Sequence, residues 1–477
     1  MIDCNGNLRG ENDMKIEKYF PYSFKVLIFL CLSVLLFSNH LYSSGIVVGY
    51  YASWLKSTLP AENIEFENLT HINHSFTWPD SNGQIKMAGD FLYPQLNSLA
   101  HLNNIKVSIA IGGWGNSNGF SLMVADSFAR AVFIDNIVNF LYTDNYDGID
   151  LDWEFPNTIS DRNNLTILIK ELRKRFNSEN PEWLITMAVT TSDWNGQWYD
   201  YIQLIKYVDW FNAMCYDYHG SWSIHAGHNA PLYQPPGDYD GAVDVGMDYL
   251  HNTRKISKNQ LTVGMPFYGK QFNASELYGS FTGEVTDYYF SDVIPKINNG
   301  WTYYWDDVSK VPYLLNNDLN SFITFDDTVS IGYKCEWIKD QDFYGGMIWA
   351  LGQDLYDNRQ RLLETIGKHL LDTGTRTLAA TTKISADYQL ENNYPNPFNS
   401  QTTIKFTLKK ANNVTLEIYN ISCQKVRTLI NQFMALGSHT VTWKSQDDSG
   451  NEVASGIYFY RITTDDFISV KKMLMIK

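Results

Sequence analysis

Residues 146–153 read YDGIDLDW, and the next residue is Glu154. Successive side chains of a β-strand point to opposite faces, so Asp150, Asp152 and Glu154 share one face of this segment. The apolar side chains between them share the other face. Three carboxylates on one inward face are costly unless they are protonated, paired or used in chemistry, because like charges raise one another's pKa. The segment therefore predicts a buried strand that ends in a functional site.

Seven further apolar runs flank this strand. They are IVVGYY (46–51), THINHSF (70–76), KVSIAI (106–111), LITMAV (184–189), DWFNAMCY (209–216), QLTVGMPF (260–267) and GGMIWAL (345–351). Helix-like stretches such as 130–141 and 163–176 lie between them. Eight strands with intervening helices predict an α/β fold, a (β/α)8 TIM barrel over residues 45–370. The pattern alone leaves a doubly wound open sheet as the alternative.

The interval between the seventh and eighth runs, about residues 270–342, is too long for one helix and is rich in aromatic residues. It predicts a small α+β insertion.

The acidic segment favours acid/base catalysis, because barrel enzymes build their active sites at the carboxyl ends of the strands. Two other interpretations stay open: a magnesium or calcium site held by carboxylates, and a structural or solvated edge. No further ligand spacing supports a metal site, and we expect neither a metal nor a cofactor. His219, His225 and His228 are interpreted as loop histidines, which would bind a metal only with partners that the sequence does not reveal.

The segment DGIDLDWEFP resembles the DxxDxDxE signature of family 18 glycoside hydrolases, the chitinase family. Further segments resemble that family in the same order along the chain. They are GYYASW (49–54), AIGGW (110–114), MCYDYHG (214–220), VGMPFYGK (263–270) and GGMIWALGQD (345–354). Lys270 stands where arginine is common in the family. The resemblance covers roughly residues 45–370, including the insertion.

The resemblance implies substrate-assisted hydrolysis of β-1,4-linked N-acetylglucosamine with retention of configuration. Glu154 is implied to protonate the glycosidic oxygen and later to activate water, while the acetamido carbonyl of the substrate acts as nucleophile. Asp152 is implied to stabilise the positively charged acetamido group, and Asp150 to share a hydrogen bond or proton with Asp152. Tyr216 is implied to donate a hydrogen bond to the acetamido oxygen.

The resemblance also implies substrate-binding residues. They are Trp349, Trp114, Met214, Asp217 and Tyr50. Trp349 is expected to floor the cleavage subsite, Trp114 to stack on the neighbouring sugar and Tyr50 to hydrogen-bond near Asp150. Trp153 and Trp210 are predicted to be core residues.

Two other functions stay open at this point. One is an endo-β-N-acetylglucosaminidase acting on N-glycans, although the MCYDYHG segment and the insertion favour chitin. The other is a chitin-binding lectin that has lost catalysis, although such relatives typically lack the acid and Glu154 is present.

The N-terminal residues 1–44 are predicted to be a signal peptide region. The apolar run VLIFLCLSVLLF (26–37) follows several lysines and is shorter than the ~20 residues that a membrane span needs. An uncleaved anchor is the alternative, and no stable membrane span is expected once the signal is removed.

The C-terminal part of the chain has a different composition. A linker is predicted over 371–386, followed by an immunoglobulin-like all-β sandwich over 387–477. The segments NYPNPFN (393–399) and ASGIYFYRI (454–462) resemble the sorting domain of the bacterial type IX secretion system. This resemblance implies the type IX machinery as a partner and a secreted or cell-surface protein of a Gram-negative bacterium. A carbohydrate-binding or spacer sandwich is the alternative.

The composition excludes other classes of protein. The formal net charge is −15 and the pI is about 5.1, which argues against binding to nucleic acid. The five cysteines exclude a disulfide scaffold. Cys215, Cys335 and Cys423 would remain after export, so at least one thiol is expected to be unpaired.

Overall fold

The computed structural model describes residues 45–371, 388–408, 412–421, 424–434, 437–464 and 467–476. They form two compact units: the first contains residues 45–371, and the second contains the described residues from 388 onward. The predicted signal peptide at 1–44 lies outside the described residues, and so does the predicted linker apart from Leu371.

The first unit is built around parallel strands that close into a barrel. These strands are β1 (Ile46–Ala52), β2 (His71–Pro79), β3 (Lys106–Gly112), β4 (Gly148–Asp152), β5 (Leu184–Val189), β6 (Trp210–Ala213), β7 (Leu261–Pro266) and β8 (Gly345–Trp349). Neighbours in this order pair in parallel, and β1 pairs with both β2 and β8. This closure confirms the TIM barrel, and the doubly wound open sheet is wrong.

Helices surround the barrel. They are α1 (Pro94–Leu102), α2 (Phe120–Ala125), α3 (Ser127–Asp144), α4 (Ile159–Glu179), α5 (Asp193–Gly196), α6 (Tyr201–Leu204), α7 (Val243–Asp248), α8 (Phe290–Val293), α9 (Thr328–Asp340) and α10 (Arg361–Leu370). The helix-like stretches 130–141 and 163–176 lie within α3 and α4. The side chain of Asp126 caps α3 by accepting hydrogen bonds from the backbone N–H groups of Phe128 and Ala129.

The alternation along β4 divides its side chains between two cores. Ile149, Leu151 and Trp153 belong to the large apolar core that surrounds the barrel. Asp150 and Asp152 occupy the alternate positions. Trp210, on β6, packs in a smaller apolar cluster that also contains residues of β1 and β8. Trp153 and Trp210 are 3% and 4% exposed, which confirms both as core residues.

The predicted insertion contains a five-stranded antiparallel sheet. Its strands are Tyr268–Asn273, Thr282–Tyr289, Thr302–Asp306, Val311–Asn316 and Ser321–Thr324. Helix α9 follows, capped by Asp327, and packs against β8 and α10. The sheet ends at Thr324, and α9 is the barrel helix that precedes β8; the bounds of the insertion at about 270–342 stay a prediction.

The second unit consists of antiparallel strands in two sheets. One sheet contains Gln389–Leu390, Thr402–Leu408 and Gly437–Trp443, and the other contains Asn412–Asn420, Lys425–Met434, Gly456–Thr463 and Ile468–Met475. Both sheets contribute to one apolar core, in which Trp443 is fully buried and its indole N–H donates to the carbonyl of Gln446 at 2.9 Å. The all-β prediction is confirmed, and Trp443 is a core residue of this unit.

Two further predictions concern cysteine and the membrane. Cys215 and Cys335 are buried and unpaired, while Cys423 lies outside the described residues. Across the described part of the chain, every helix is too short or too polar to cross a bilayer.

Candidate active site

Asp150 lies fully buried in the barrel interior and is surrounded by hydrogen-bond donors. The hydroxyl of Tyr50 donates to Oδ2 at 2.5 Å, and the hydroxyl of Thr186 donates to Oδ1 at 2.5 Å. The amide of Asn212 also donates to Oδ1, at 2.8 Å. Burial raises the pKa of Asp150, and these hydrogen bonds oppose the rise. Three donors from three strands therefore fix this carboxyl rigidly below the site.

Asp152 is the next residue on the same face and is also buried. Its Oδ1 has no hydrogen-bond partner among the described residues. Burial first, and then the charges of Glu154 and Asp150, raise the pKa of Asp152 well above its ordinary value. A buried carboxyl without a donor is ready to bind a positive charge or a donor that a ligand supplies.

Glu154 follows β4 at the carboxyl end of the barrel. Burial first, and then the charge of Asp217, raise the pKa of Glu154 to about 7, while the backbone N–H of Trp114 opposes the rise. The carboxyl is thus protonated in a large fraction of molecules at neutral pH, as a general acid requires. Asp217 therefore adds its charge to the mutual repulsion between Glu154 and Asp152, which come from the same acidic segment.

The segment after β6 supplies Met214, Tyr216 and Asp217. Met214 and Tyr216 are partly buried against the apolar cluster inside the barrel. The hydroxyl of Tyr216 lies 4.0 Å from Sδ of Met347, a weak acceptor. Burial, followed by the charge of Asp152, raises the pKa of Tyr216 well above its ordinary value. This phenol stays protonated and is therefore a hydrogen-bond donor.

Lys270 connects the insertion sheet to Asp217. Its ammonium lies 2.9 Å from Oδ1 of Asp217 and 2.9 Å from Oδ1 of Asp287. The hydroxyl of Tyr268 donates to Asp217 at 2.7 Å. The same ammonium lies 5.7 Å from the ring centre of Trp222, which is exposed. The first strand of the insertion thus positions one edge of the site.

Aromatic side chains form a platform beside the carboxyls. The ring centre of Trp349 lies 5.6 Å from that of Tyr50, 5.5 Å from that of Phe76 and 6.3 Å from that of Trp54. Trp114 follows β3 and is 80% exposed. Exposed indoles are costly in water and suit the apolar faces of sugar rings.

The predicted site residues lie in or close to the carboxyl ends of barrel strands. They are Glu154, Asp152, Asp150, Tyr216, Trp349, Trp114, Met214, Asp217 and Tyr50. The expected hydrogen bond of Tyr50 to Asp150 is present, but Tyr50 is 2% exposed and its hydroxyl is occupied. Its contact with a sugar stays a prediction. Of three other tryptophans in this unit, Trp54 and Trp222 are exposed and Trp301 is buried.

Sequence reasoning missed Thr186, Asn212 and Tyr268. Thr186 and Asn212 are polar residues in the interior of the apolar runs LITMAV and DWFNAMCY, and that interruption was the available signal. Asp147 shares the acidic segment but lies at the other end of β4. There it accepts a hydrogen bond from the backbone N–H of Val107 at 2.7 Å, away from the site.

Comparisons with known proteins agree with this geometry. The family model described as glycosyl hydrolases family 18 matches residues 46–354. A second model, described as a secretion system C-terminal sorting domain, matches residues 392–477. Chitinase A1 of Niallia circulans is 31% identical over 413 residues, an alignment that covers 69% of this chain and 58% of that protein.

Solved structures give the same result. The Group IV chitinase of Ostrinia furnacalis, in complex with allosamidin, matches at 27% identity and a TM-score of 0.63, covering 69% of this chain and 100% of that one. A family 18 N-acetylglucosaminidase of Paenibacillus barengoltzii matches at 26% identity and a TM-score of 0.62, covering 68% and 100%. The chain therefore belongs to glycosyl hydrolases family 18 and carries a secretion system C-terminal sorting domain after its barrel.

Proposed function

We propose that this protein is a secreted chitinase that hydrolyses β-1,4 linkages between N-acetylglucosamine units of chitin or chitooligosaccharides. The observation that carries the proposal is that Glu154, whose pKa is raised to about 7, follows the buried Asp152, whose Oδ1 has no hydrogen-bond partner among the described residues. The similarity of this chain to Chitinase A1 of Niallia circulans and to the Group IV chitinase of Ostrinia furnacalis supports chitin as the substrate.

The proposed reaction begins with proton transfer. Glu154 gives its proton to the glycosidic oxygen, and the bond from that oxygen to the anomeric carbon breaks. The acetamido carbonyl oxygen of the same sugar attacks the anomeric carbon from the opposite face, forming a cyclic oxazolinium ion. Asp152 stabilises the positive charge that develops on the acetamido nitrogen, and Tyr216 donates a hydrogen bond to the acetamido oxygen.

Hydrolysis of the intermediate completes the cycle. Glu154, now a carboxylate, takes a proton from water, and the oxygen of that water attacks the anomeric carbon. The acetamido group is released and Glu154 is again protonated. Two inversions at one carbon leave the product in the β configuration of the substrate.

The product configuration tests this mechanism. We expect the first product released from chitin hexasaccharide to be the β-anomer, observed by proton NMR before mutarotation. An enzyme in which water attacks the anomeric carbon directly would release the α-anomer, and that result would contradict the proposal.

Binding of the polymer is proposed to rest on the aromatic platform. Trp349 contacts Tyr50 and Phe76 and so presents a fixed face to the sugar at the point of cleavage. The exposed indoles of Trp114 and Trp54 offer further apolar surface that suits neighbouring sugars.

The dependence of activity on pH is expected to follow Glu154. Its proton is required for the first step, so kcat/KM should fall as pH rises above about 7, the value to which the pKa is raised. Replacing Asp217 by asparagine removes the negative charge that raises this pKa. The fall should therefore begin at a lower pH in Asp217→Asn, measured from initial rates on chitin hexasaccharide.

Asp287→Asn is the matched control for that shift. Asp287 contacts the other side of the Lys270 ammonium and is not among the charges that raise the pKa of Glu154. Its profile should lie close to that of the wild type. If the pH profile of Asp217→Asn matched that of the wild type, the charge of Asp217 would not raise the pKa of Glu154. That result would contradict the account.

Export is proposed to use both termini. Residues 1–44 would direct passage across the inner membrane as a signal peptide, and residues 371–386 would link the barrel to the sorting domain. The match of residues 392–477 to a secretion system C-terminal sorting domain supports this route. We infer that the type IX machinery of a Gram-negative bacterium delivers the enzyme to the cell surface or the medium.

A further inference from the structure

The loop between β6 and α7 brings together four side chains that the catalytic mechanism does not use. One ligand atom from each of His219, His225, Asp238 and Asp240 lies within 4.8 Å of the others. The two histidines come early in the loop and the two aspartates come late. Side chains from the early and the late part of this irregular loop therefore lie close together.

Backbone carbonyls define the protonation of the two imidazole rings. Nδ1 of His219 lies 2.9 Å from the carbonyl oxygen of His228, and Nδ1 of His225 lies 3.1 Å from the carbonyl oxygen of Ala226. A carbonyl oxygen can only accept, so Nδ1 of each ring carries a hydrogen. In a neutral imidazole this leaves Nε2 with a lone pair, which is the form that binds metals.

The Nε2 atom of His219 faces carboxylate oxygens. His219 is fully buried and this atom makes no hydrogen bond among the described residues. It lies 3.4 Å from Oδ1 of Asp238 and 3.2 Å from Oδ2 of Asp240. Oδ2 of Asp238 is likewise buried without a donor. Acceptor atoms facing one another in the interior repel, so a cation belongs between them.

The surrounding structure holds these groups in place. The backbone N–H of Asp240 donates to Oδ1 of Asp238 at 3.1 Å, and the amide of Gln234 donates to the carbonyl of Asp238 at 2.6 Å. The ring of His219 lies directly over Gly227, where a Cβ atom would come within 2.3 Å of Nε2. The position of the ring therefore depends on a glycine beneath it.

We propose that His219, His225, Asp238 and Asp240 bind one divalent transition metal ion of the zinc class. Two neutral imidazoles and two carboxylates supply four nitrogen and oxygen ligands, the number that zinc takes in structural sites. The two carboxylate charges balance the charge of the ion. Calcium and magnesium prefer sites made of oxygen ligands alone, so the histidines select against them.

The bound ion would have a structural role. It would tie residues 219–225 to residues 238–240, on a loop that begins beside Tyr216 and carries the exposed Trp222. A ligand that binds only the native state stabilises that state. The proposal rests on this cluster alone and does not depend on the choice of polysaccharide.

The test is zinc binding by the tag-free protein from residue 45 onward, after treatment with EDTA and dialysis. Calorimetric titration with zinc chloride should give one ion per chain, and zinc should raise the melting temperature. The variant His225→Gln/Asp240→Asn removes two ligands that are not fully buried. Its zinc affinity should fall by more than ~100-fold, because changes outside the first ligand shell already cost 10–100-fold.

His369→Gln is the matched control. This histidine is paired with Glu336 on another face of the barrel, and its loss should leave zinc binding unchanged. Circular dichroism shows whether the double variant is folded. A wild type that takes up no zinc would overturn the proposal. Equal affinity in the folded double variant would also overturn it.

Discussion

Glu154→Gln is expected to lower kcat on chitin hexasaccharide by about 10³-fold, within the range that general acid–base catalysis contributes. Glutamine keeps the size of the side chain and can donate a hydrogen bond, but it cannot transfer a proton to the glycosidic oxygen or take one from water. Since both steps use this one carboxyl, no second group replaces it. KM should change little, because the sugar contacts are made by the aromatic platform. Initial rates of oligomer release give both constants.

Asp147→Asn is the matched control for this variant. Asp147 comes from the same acidic segment, but its carboxyl accepts from the backbone of Val107 and pairs with His101 at the opposite end of β4. This variant should retain most of the wild-type kcat. If Glu154→Gln also retained it, another residue would be the acid and the proposed role of Glu154 would be wrong.

Asp152→Asn is expected to lower kcat by about 10²-fold, comparable to removing one group that stabilises charge in a transition state. The acetamido nitrogen becomes positive as its oxygen attacks. The carboxyl of Asp152, which the resemblance implies to share a proton with Asp150, can become the anion that offsets that charge, whereas asparagine cannot ionise. The neutral asparagine has nearly the same shape, so the loss should appear in kcat more than in KM. Steady-state kinetics on chitin hexasaccharide measure this split.

Thermal unfolding separates this role from a structural one. The carboxyl of Asp152 is buried, and its Oδ1 has no hydrogen-bond partner in the part of the chain that the structure describes, so it does not stabilise the fold in the absence of substrate. The melting temperature of Asp152→Asn should therefore equal or exceed that of the wild type. A lowered melting temperature together with low activity would indicate a disturbed barrel instead, contrary to the account.

Much of the barrel was predictable because its strands are buried on both faces. Such strands read as nearly continuous apolar runs, and the runs at 46–51 and 184–189 match β1 and β5 closely. The alternation of side chains along β4 separated the acids from Ile149 and Leu151. A local rule therefore located the carboxyls, and the resemblance supplied the roles of the aromatic residues.

The remaining features depend on contacts between distant segments. Asp217 raises the pKa of Glu154 from the end of a different strand, and no local pattern reveals that proximity. Asp238 and Asp240 lie in an irregular loop without periodicity, so their approach to His219 was equally hidden. In the second unit the strand Lys425–Met434 is hard to predict from the sequence, because its side chains are partly or largely exposed and its pattern is weakly apolar.

The most direct test of the central claim is mass spectrometry of the products from chitin hexasaccharide, with the wild type and Glu154→Gln incubated in parallel. A high-mannose glycoprotein serves as the competing substrate. The account predicts short chitooligosaccharides from the wild type, almost none from the variant, and no glycan released from the glycoprotein. Released N-glycans with an intact hexasaccharide would identify an endo-β-N-acetylglucosaminidase and contradict the account. Binding of the hexasaccharide without any cleavage would identify a lectin.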